Sequence, residues 1–329
     1  MKVCIYGAGA IGGMLGYHLA ASGAAVTLIA RGPHLKAMQE QGLTYVSGGQ
    51  AATVAVRAVA TPAEAGPQDY VILTLKAPGV AGIAELMAPL LGPETCVVTA
   101  QNGLPWWYFH RHGGPFDGRT LESVDPGGRL WRLIPPERCL GCVVYPSAEI
   151  EAPGRVVHGY GNRFMLGEPD GSQSPRAKAL SQLLTKSGLK APVRPKIRDD
   201  IWVKLWGNLS FNPVSALTGG TLEQMAKDPG THGVIAGMMA EAERVATALG
   251  VSFGVDIETR IGWAADLGAH KTSMLQDLEL GRAMEIDALL GVGVEPGQLT
   301  AVPTPLCAAV LALVVQRARL KGCYPAAKE

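Results

Sequence analysis

The chain has 329 residues, 47% of them hydrophobic, which is enough for two globular domains that each bury a sizeable core. Its formal net charge of +1 at pH 7 is spread without a basic stripe or an acidic tail, so nucleic acid and anionic membrane surfaces are disfavoured as partners. The longest apolar run, 306–315, is about half a membrane span, and Met1-Lys2 leads directly into a predicted strand, so we expect a cytoplasmic protein without a signal peptide.

The first predicted strand, 2–6, runs directly into Gly7-Ala8-Gly9-Ala10-Ile11-Gly12, and a helical segment follows at 11–21. In this setting the first glycine allows a tight turn, the second lets the backbone approach a pyrophosphate, and the third lets the helix pack against the strand. Backbone N–H groups and the dipole of the helix N-terminus then bind the phosphates. The six residues therefore predict a binding site for a dinucleotide cofactor.

Arg31 follows the second predicted strand, 25–30. NAD-specific proteins place an acidic residue at this point to bind the ribose 2′-hydroxyl, whereas a guanidinium pairs with the 2′-phosphate of NADP(H) in a forked geometry. Arg31 therefore favours NADP(H) as the cofactor. The alternative is that Arg31 is an ordinary solvated side chain.

The pattern of predicted secondary structure changes near residue 195. Before that point strands and helices alternate, the pattern of a mostly parallel sheet covered on both faces; further strands are predicted at 53–58, 70–74, 95–99 and 140–147, helices at 34–41 and 80–91, and a hairpin at 156–166. After it the strand signals stop, and helix periodicity appears at 201–216, 233–249, 274–290 and 305–320. We therefore predict an α/β fold with a doubly wound, Rossmann-type domain over residues 1–195 and an all-helical domain over residues 196–329.

The segment 103–138 has little periodicity and contains Trp106-Trp107-Tyr108-Phe109. Loops of this length in compact domains are usually functional or disordered, and four exposed aromatic side chains are unfavourable on a soluble monomer. Two placements are open, a lid over a substrate or an interface with a second copy of the chain in a homodimer. Ordinary core packing is the alternative to both.

Lys204, Asn208 and Asn212 are spaced i, i+4 and i+8, so a helix places them on one side. Trp202, Trp206 and other apolar residues surround most of that helix, which predicts burial, and polar groups in a buried helix are costly unless they meet another polar group. Burial between two tryptophans would lower the pKa of Lys204 toward neutrality, as suits a proton donor. The alternative is that the polar stripe faces water.

A third informative segment runs from Lys271 to Asp287. Ser273 and Gln276 have the spacing of a helix capping box, which is a structural role, and Glu285 fits a surface acid as well as a catalytic one. In a straight helix Glu285 would lie roughly a third of a turn from Ser273, so only a bend would align the two.

The six cysteines fit a reducing compartment. Cys139 and Cys142 have CxxC spacing, but neither a second pair nor a histidine cluster accompanies them. We therefore expect no metal site.

Seven motifs, taken in chain order, resemble those of the ketopantoate reductase (2-dehydropantoate 2-reductase) family. They are Gly7-x-Gly9-x-x-Gly12, Ala30-Arg31-Gly32, Thr74-Leu75-Lys76-Ala77, Gln101-Asn102-Gly103, Trp202-x-Lys204-Leu205-x-x-Asn208, Asn212-Pro213, and Ser273-Met274-Leu275-Gln276-Asp277 through Glu285-Ile286-Asp287. The likeness covers almost the whole chain. The stretch after Gly103 is longer than the family pattern.

The resemblance implies that Lys204 is the general acid that protonates a carbonyl oxygen as hydride arrives, and that Glu285 positions Lys204 or the substrate. It also implies the reaction: the NADPH-dependent reduction of the 2-oxo acid ketopantoate to pantoate, in pantothenate biosynthesis. One rival hypothesis keeps the chemistry with another branched or bulky 2-oxo acid. The other is a regulator that binds NADPH without turnover, which would have no need of a proton donor.

The resemblance implies binding roles for five further side chains. The substrate's carboxylate and hydroxyl would be bound by Asn208, Asn212 and Ser273. The nicotinamide end of the cofactor and the substrate would lie beside Lys76 and Asn102.

Overall fold

The computed structural model describes residues 1–326, and the chain divides into two compact units. The first comprises Met1–Gln101, Pro105–Thr120 and Gly127–Ile197, and the second comprises Asn102–Leu104, Leu121–Pro126 and the chain from Arg198 onwards. The expected boundary between residues 195 and 196 lies close to the start of the last segment. Two short pieces of the expected first domain nevertheless group with the second unit.

The first unit is built on two β-sheets. Its strands are, in chain order, β1 (Lys2–Tyr6), β2 (Ala25–Ile29), β3 (Leu43–Ser47), β4 (Gln50–Val54), β5 (Arg57–Val59), β6 (Gln68–Leu73), β7 (Leu91–Thr99), β8 (Cys139–Val144), β9 (Ser147–Ala152), β10 (Arg155–Tyr160) and β11 (Phe164–Gly167). The larger sheet has the order β11-β8-β7-β6-β1-β2-β5, and the smaller has the order β4-β3-β10-β9. In the larger sheet β1 pairs in parallel with β2 and β6, while β11 runs antiparallel to β8.

Helices cover the larger sheet, as the apolar character of its strands requires. They are α1 (Ala10–Ala21), α2 (Gly32–Gln41), α3 (Pro62–Ala65), α4 (Ala77–Ala81), α5 (Arg129–Leu133) and α6 (Pro175–Lys186). Glycines let α1 approach the sheets closely: a Cβ on Gly16 would lie 2.5 Å from Leu28 Cδ2, and one on Gly13 would lie 2.7 Å from Val156 Cγ2. The predicted α/β fold with a Rossmann-type sheet is confirmed.

Three local predictions in the first unit are wrong. The segment 53–58 belongs to two strands, β4 and β5, and the segment 80–91 forms the end of α4 and two 3₁₀ turns instead of one helix, since Gly82 and Pro89 interrupt it. The expected hairpin at 156–166 does not form. Instead β10 pairs with β3 and β9, and β11 pairs with β8.

The aromatic cluster Trp106–Phe109 lies in the core of the first unit. Its four side chains are at most 3% exposed. Trp107 packs over Gly141 of β8, where a Cβ would lie 3.0 Å from Trp107 Cη2, and its indole N–H donates to Thr99 Oγ1 at 3.0 Å. The predictions of a lid or a subunit interface made of these rings are therefore wrong, because β7 and β8 offer Trp107 a packing surface and a hydrogen-bond partner.

Replacing Trp107 with phenylalanine should lower the free energy of unfolding by about 1–2 kcal/mol, because it removes the bond to Thr99 and leaves a gap beside Gly141. Chemical denaturation followed by circular dichroism measures the change. Trp263, which is 50% exposed, provides the matched control, and Trp263→Phe should change stability by less than about 0.5 kcal/mol. Unchanged stability together with an altered substrate preference in Trp107→Phe would show instead that the cluster acts as a lid over the substrate.

The second unit is helical. Its helices are α7 (Ile197–Thr218), α8 (Leu222–Lys227), α9 (Pro229–Ala248), α10 (Ile257–Ala265), α11 (Ser273–Glu279), α12 (Val292–Leu299) and α13 (Pro305–Leu320), with a π-helical turn at Asp287–Gly291. The buried carboxylate of Glu241 accepts the N–H groups of Leu306 and Cys307 at 2.9 and 2.8 Å, and so caps α13. Within residues 1–326, none of the helices combines the length and apolar character needed to cross a lipid bilayer.

The predicted continuous helix over 274–290 is interrupted. α11 ends at Glu279, Gly281 adopts a positive φ of 62°, and the N–H of Arg282 donates to the Asp277 carbonyl at 2.8 Å. Residues 282–285 are non-helical before the chain turns helical again at Ile286. The chain is therefore not one straight helix between Ser273 and Glu285.

Candidate active site: a dinucleotide turn and a polar helix

The glycine-rich turn lies at the carboxyl end of β1, at the centre of the larger sheet. Gly7 has a φ of 106°, a conformation that side chains other than glycine rarely adopt. The N–H groups of Gly7 and Ala8 donate to the Ile29 carbonyl at 3.2 and 3.1 Å, which ties the turn to the end of β2. α1 then begins at Ala10 with Gly9 as its N-cap residue.

The third glycine of the motif is required by packing within the protein. A Cβ on Gly12 would lie 2.2 Å from the Gly7 carbonyl oxygen and 2.6 Å from Thr74 Oγ1. Thr74 Oγ1 itself donates to that carbonyl at 2.6 Å. Any side chain at Gly12 would therefore push α1 away from the turn.

The second glycine of the motif faces open space. The nearest protein atom to a Cβ on Gly9 would be the Gly7 carbonyl oxygen, at 4.0 Å. The space that this side chain would fill is left clear beside the first turn of α1, whose N–H groups are the natural partners of an anion. The turn therefore fits the pyrophosphate of a dinucleotide.

Arg31 is exposed and is the N-cap residue of α2, with an extended backbone. Burial raises the pKa of Tyr6, and the positive charge of Arg31 opposes that shift, so the guanidinium lies near the end of β1. Its charge adds to that of the N-terminus of α2 at the edge of the dinucleotide turn.

Lys76 lies after the next strand of the sheet and is exposed as the N-cap residue of α4. The loop that carries it is fixed from two sides. Gln101 donates its side-chain amide to the Leu75 carbonyl at 2.6 Å, and Leu75 Cδ2 would lie 2.7 Å from a Cβ on Gly7. The structure therefore brings Lys76 to the same edge of the sheet as the glycine turn.

In the second unit, α7 carries the polar stripe. Lys204 and Asn208 are half-buried, and Asn212 is 5% exposed. Trp202 and Trp206 are fully buried, and the Trp206 indole N–H donates to the Met239 carbonyl at 2.6 Å. The helix is thus enclosed on most sides, as its sequence predicted, and the tryptophans fix the direction of the stripe.

Gly207 separates Lys204 from Asn208 along this helix and leaves room for a cation. A Cβ on Gly207 would lie 1.9 Å from Arg260 Nη2, so the guanidinium of α10 packs directly on the backbone of α7. A positive charge carried by α10 therefore lies against the backbone of the helix that presents Lys204.

Ser273 does not cap α11, so that prediction is wrong. The N-cap residue is Thr272, whose hydroxyl accepts the Leu275 N–H at 3.2 Å. The buried Thr272 is the better cap because its backbone is already extended there. Ser273 is the first helical residue, and its side chain is exposed, which leaves its hydroxyl for a ligand.

Asn102 and the segment after Glu285 meet within the second unit. Gly103 has a φ of 90°, and a Cβ there would lie 2.0 Å from the Ala288 carbonyl oxygen. The Asn102-Gly103 turn therefore packs against the π-helical turn that follows Glu285. Asn102 and Glu285 are both half-buried.

Some contacts within the second unit had no signal in the sequence. Glu295 accepts the N–H groups of Glu122 and Ser123 at 2.7 and 2.9 Å, and Tyr324 binds Asp287. These partners are separated by 37 to 173 residues, beyond the reach of any local pattern. Among residues 1–326, histidine, cysteine and acidic side chains form no group of three or more that could hold a metal ion.

Family models and sequence relatives match almost the whole length of the chain. Residues 3–171 match the family model described as ketopantoate reductase PanE/ApbA, and residues 196–318 match that of its C-terminal domain. A 2-dehydropantoate 2-reductase from Mesorhizobium japonicum is 52% identical over 98% of this chain and 100% of the relative. One from Archaeoglobus fulgidus is 27% identical over 90% of this chain and 91% of the relative.

Solved structures show the same fold. The crystal structure of a ketopantoate reductase candidate from Ralstonia solanacearum MolK2 is 43% identical, covers 98% of this chain and 99% of its own, and has a TM-score of 0.92. The D-mandelate dehydrogenase ternary structure with NADH and anilino(oxo)acetate, at 24% identity over 98% of this chain and 99% of its own, shares the fold with a TM-score of 0.83. The glycine turn, the polar helix and these matches together establish the chain as an oxidoreductase of the ketopantoate reductase family.

Proposed function

We propose that this protein reduces 2-dehydropantoate (ketopantoate) to pantoate with NADPH. The 52% identity to a 2-dehydropantoate 2-reductase across 98% of the chain is the observation that carries the substrate. Arg31, standing where NAD-specific proteins carry an acid, supports NADPH. The open space beside Gly9 supports a dinucleotide at the glycine turn.

In the proposed reaction, bound NADPH supplies a hydride to the carbonyl carbon of the substrate. Lys204 donates a proton from its ammonium group to the carbonyl oxygen, so that no negative charge builds up there. Glu285 holds the Lys204 ammonium or the substrate in place. The product is the 2-hydroxy acid, and Lys204 recovers its proton from solvent.

Polar side chains of both units are proposed to bind the substrate and the cofactor. Asn208, Asn212 and Ser273 bind the substrate's carboxylate and hydroxyl as neutral donors. Lys76 and Asn102 would contact the nicotinamide end of the cofactor and the substrate. Arg31 would pair with the 2′-phosphate of the cofactor, and the backbone N–H groups of Gly7–Gly12 would bind its pyrophosphate.

The test is the oxidation of NADPH, followed by its near-ultraviolet absorbance, with a panel of 2-oxo acids. The panel contains ketopantoate, 2-oxoisovalerate, pyruvate and phenylglyoxylate, each also run with NADH. We expect the highest kcat/KM for ketopantoate with NADPH. A higher value for phenylglyoxylate or another oxo acid would identify a different substrate, and NADPH binding without turnover of any of them would identify a regulator.

A further inference from the structure

Glu285 lies just before the π-helical turn, where its carbonyl accepts the Leu289 N–H at 3.1 Å. It follows the non-helical stretch after α11 and precedes Ile286, where helical structure resumes. The five residues after Ile286 form a π-helical turn, and such turns frequently occur at functional sites. Residues 282–285 belong to no helix, so contacts from elsewhere in the second unit contribute to fixing the backbone that carries Glu285.

Such contacts come from Cys323 and Tyr324, which follow α13. The N–H of Met284 donates to the Cys323 carbonyl at 3.0 Å. The Tyr324 hydroxyl contacts both carboxylate oxygens of Asp287, at 2.7 and 2.8 Å. The two contacts lie on either side of Glu285 in sequence, so they clamp the backbone that carries it.

The clamp is itself anchored. Cys323 is 1% exposed, and its N–H donates to the Ala318 carbonyl of α13 at 2.8 Å. The guanidinium of Arg319 lies 5.6 Å from the centre of the Tyr324 ring, within the range of a cation–π contact. The ring of Tyr324 is thus held by Arg319 of α13, and its hydroxyl is held by Asp287.

The electrostatics favour a protonated tyrosine that donates to an acidic partner. Burial raises the pKa of Tyr324, and the adjacent Asp287 carboxylate raises it further. Asp287 is solvent-exposed, and its partial desolvation raises its pKa, an effect that the bond from Tyr324 opposes. A hydrogen bond to a charged group of this kind is stronger than one between neutral groups.

We propose that Tyr324 is a positioning residue of the reductase: through Asp287 it fixes the backbone that presents Glu285. The inference rests on the role of Glu285 in the proposed function. The Asn102-Gly103 turn also packs on the Ala288 carbonyl, one residue after Asp287. The π-helical turn is thus held by both a substrate-binding segment and the tyrosine clamp.

Tyr324→Phe tests the proposal, since it removes one hydroxyl and keeps the ring. The expected result is a kcat about tenfold lower, with kcat calculated per titrated NADPH-binding site. The KM for ketopantoate should rise, and the Kd for NADPH should stay unchanged. Tyr70→Phe is the matched control, because it removes a hydroxyl that donates to the Arg176 carbonyl at 2.9 Å in the first unit. Equal losses of kcat in the two variants, or none in Tyr324→Phe, would overturn the proposal.

The partner residue gives a rescue test. Asp287→Asn retains an oxygen that can accept the Tyr324 hydroxyl, whereas Asp287→Ala does not, so the asparagine variant should keep several times more activity than the alanine variant. Equal activity in the two variants would contradict the proposed contact.

Hydrogen exchange separates this inference from the proposed function. Amides of residues 280–291 should exchange faster in Tyr324→Phe than in the wild-type chain or in Tyr70→Phe, whichever oxo acid is reduced. Unchanged exchange there overturns the clamp. Inactivity of the wild-type chain with every oxo acid overturns the proposed function instead.

Discussion

Replacing Lys204 with alanine is expected to lower kcat for ketopantoate reduction by about a hundred- to ten-thousandfold, the range typical of a lost general acid. The reason is the proposed role of Lys204, a half-buried residue of α7, as the donor of the proton that the carbonyl oxygen takes up. Stopped-flow measurement of NADPH oxidation under single-turnover conditions would report the chemical step directly.

The Kd for NADPH should remain unchanged in this variant, because the glycine turn and Arg31 lie in the other unit. Lys227→Ala is the matched control, since Lys227 is an exposed lysine of α8 paired with Glu223. A collapse of NADPH affinity in Lys204→Ala, with kcat preserved at saturating cofactor, would assign Lys204 to the cofactor site instead.

Glu285→Ala should impair the same step as Lys204→Ala. If the carboxylate acts through the ammonium, the double variant should be scarcely worse than Lys204→Ala alone, since residues that act as a unit are far from additive. Full additivity of the two free-energy changes would show that Glu285 acts on its own, for example on the substrate.

Much of the fold was predictable because its signals are local. β1, the glycine turn and α1 occupy consecutive residues, and the steric demands of Gly7 and Gly12 are met within that stretch and the neighbouring loop. α13 has the bounds that its periodicity predicted, Pro305–Leu320. In these segments the hydrophobic pattern and the end signals agree with the final packing.

Features that depend on distant partners were not predictable. The aromatic cluster had the composition of a surface for docking, and its burial depends on Gly141 and Thr99, which belong to other strands. The strands β10 and β11 have a turn signal between them, yet each pairs in a different sheet. A local stretch of sequence does not show which of these distant strands each one will pair with.

The candidate site likewise combines features that were predictable from local sequence with features that were not. The i, i+4, i+8 stripe of α7 was visible because one helix carries all three residues. The contacts of the segment after Glu285 were not, because Gly103 approaches Ala288 and Tyr324 binds Asp287 from far along the chain. Thr272 took the capping position predicted for Ser273, a shift of one residue that backbone geometry decides.

Replacing Arg31 with aspartate is expected to weaken NADPH binding about ten- to a hundredfold, or roughly 1.5–3 kcal/mol, while NADH binding changes far less. The variant loses charge-assisted hydrogen bonds to the 2′-phosphate and gains a repelling carboxylate. Fluorescence titration with each cofactor measures both effects. The fold should tolerate the change, because Arg31 is the N-cap residue of α2 and aspartate is among the preferred residues at that position.

A second charge reversal on the same helix isolates the local effect. Lys36 lies on α2 and its side chain is 73% exposed, so Lys36→Asp changes the net charge equally without reaching the helix N-terminus. If Arg31 binds the 2′-phosphate directly, Lys36→Asp should leave the ratio of NADPH to NADH affinity nearly unchanged, and added salt should narrow the difference between wild type and Arg31→Asp. The same ratio in all three proteins would show that Arg31 is a solvated side chain and that cofactor choice is made elsewhere in the first unit.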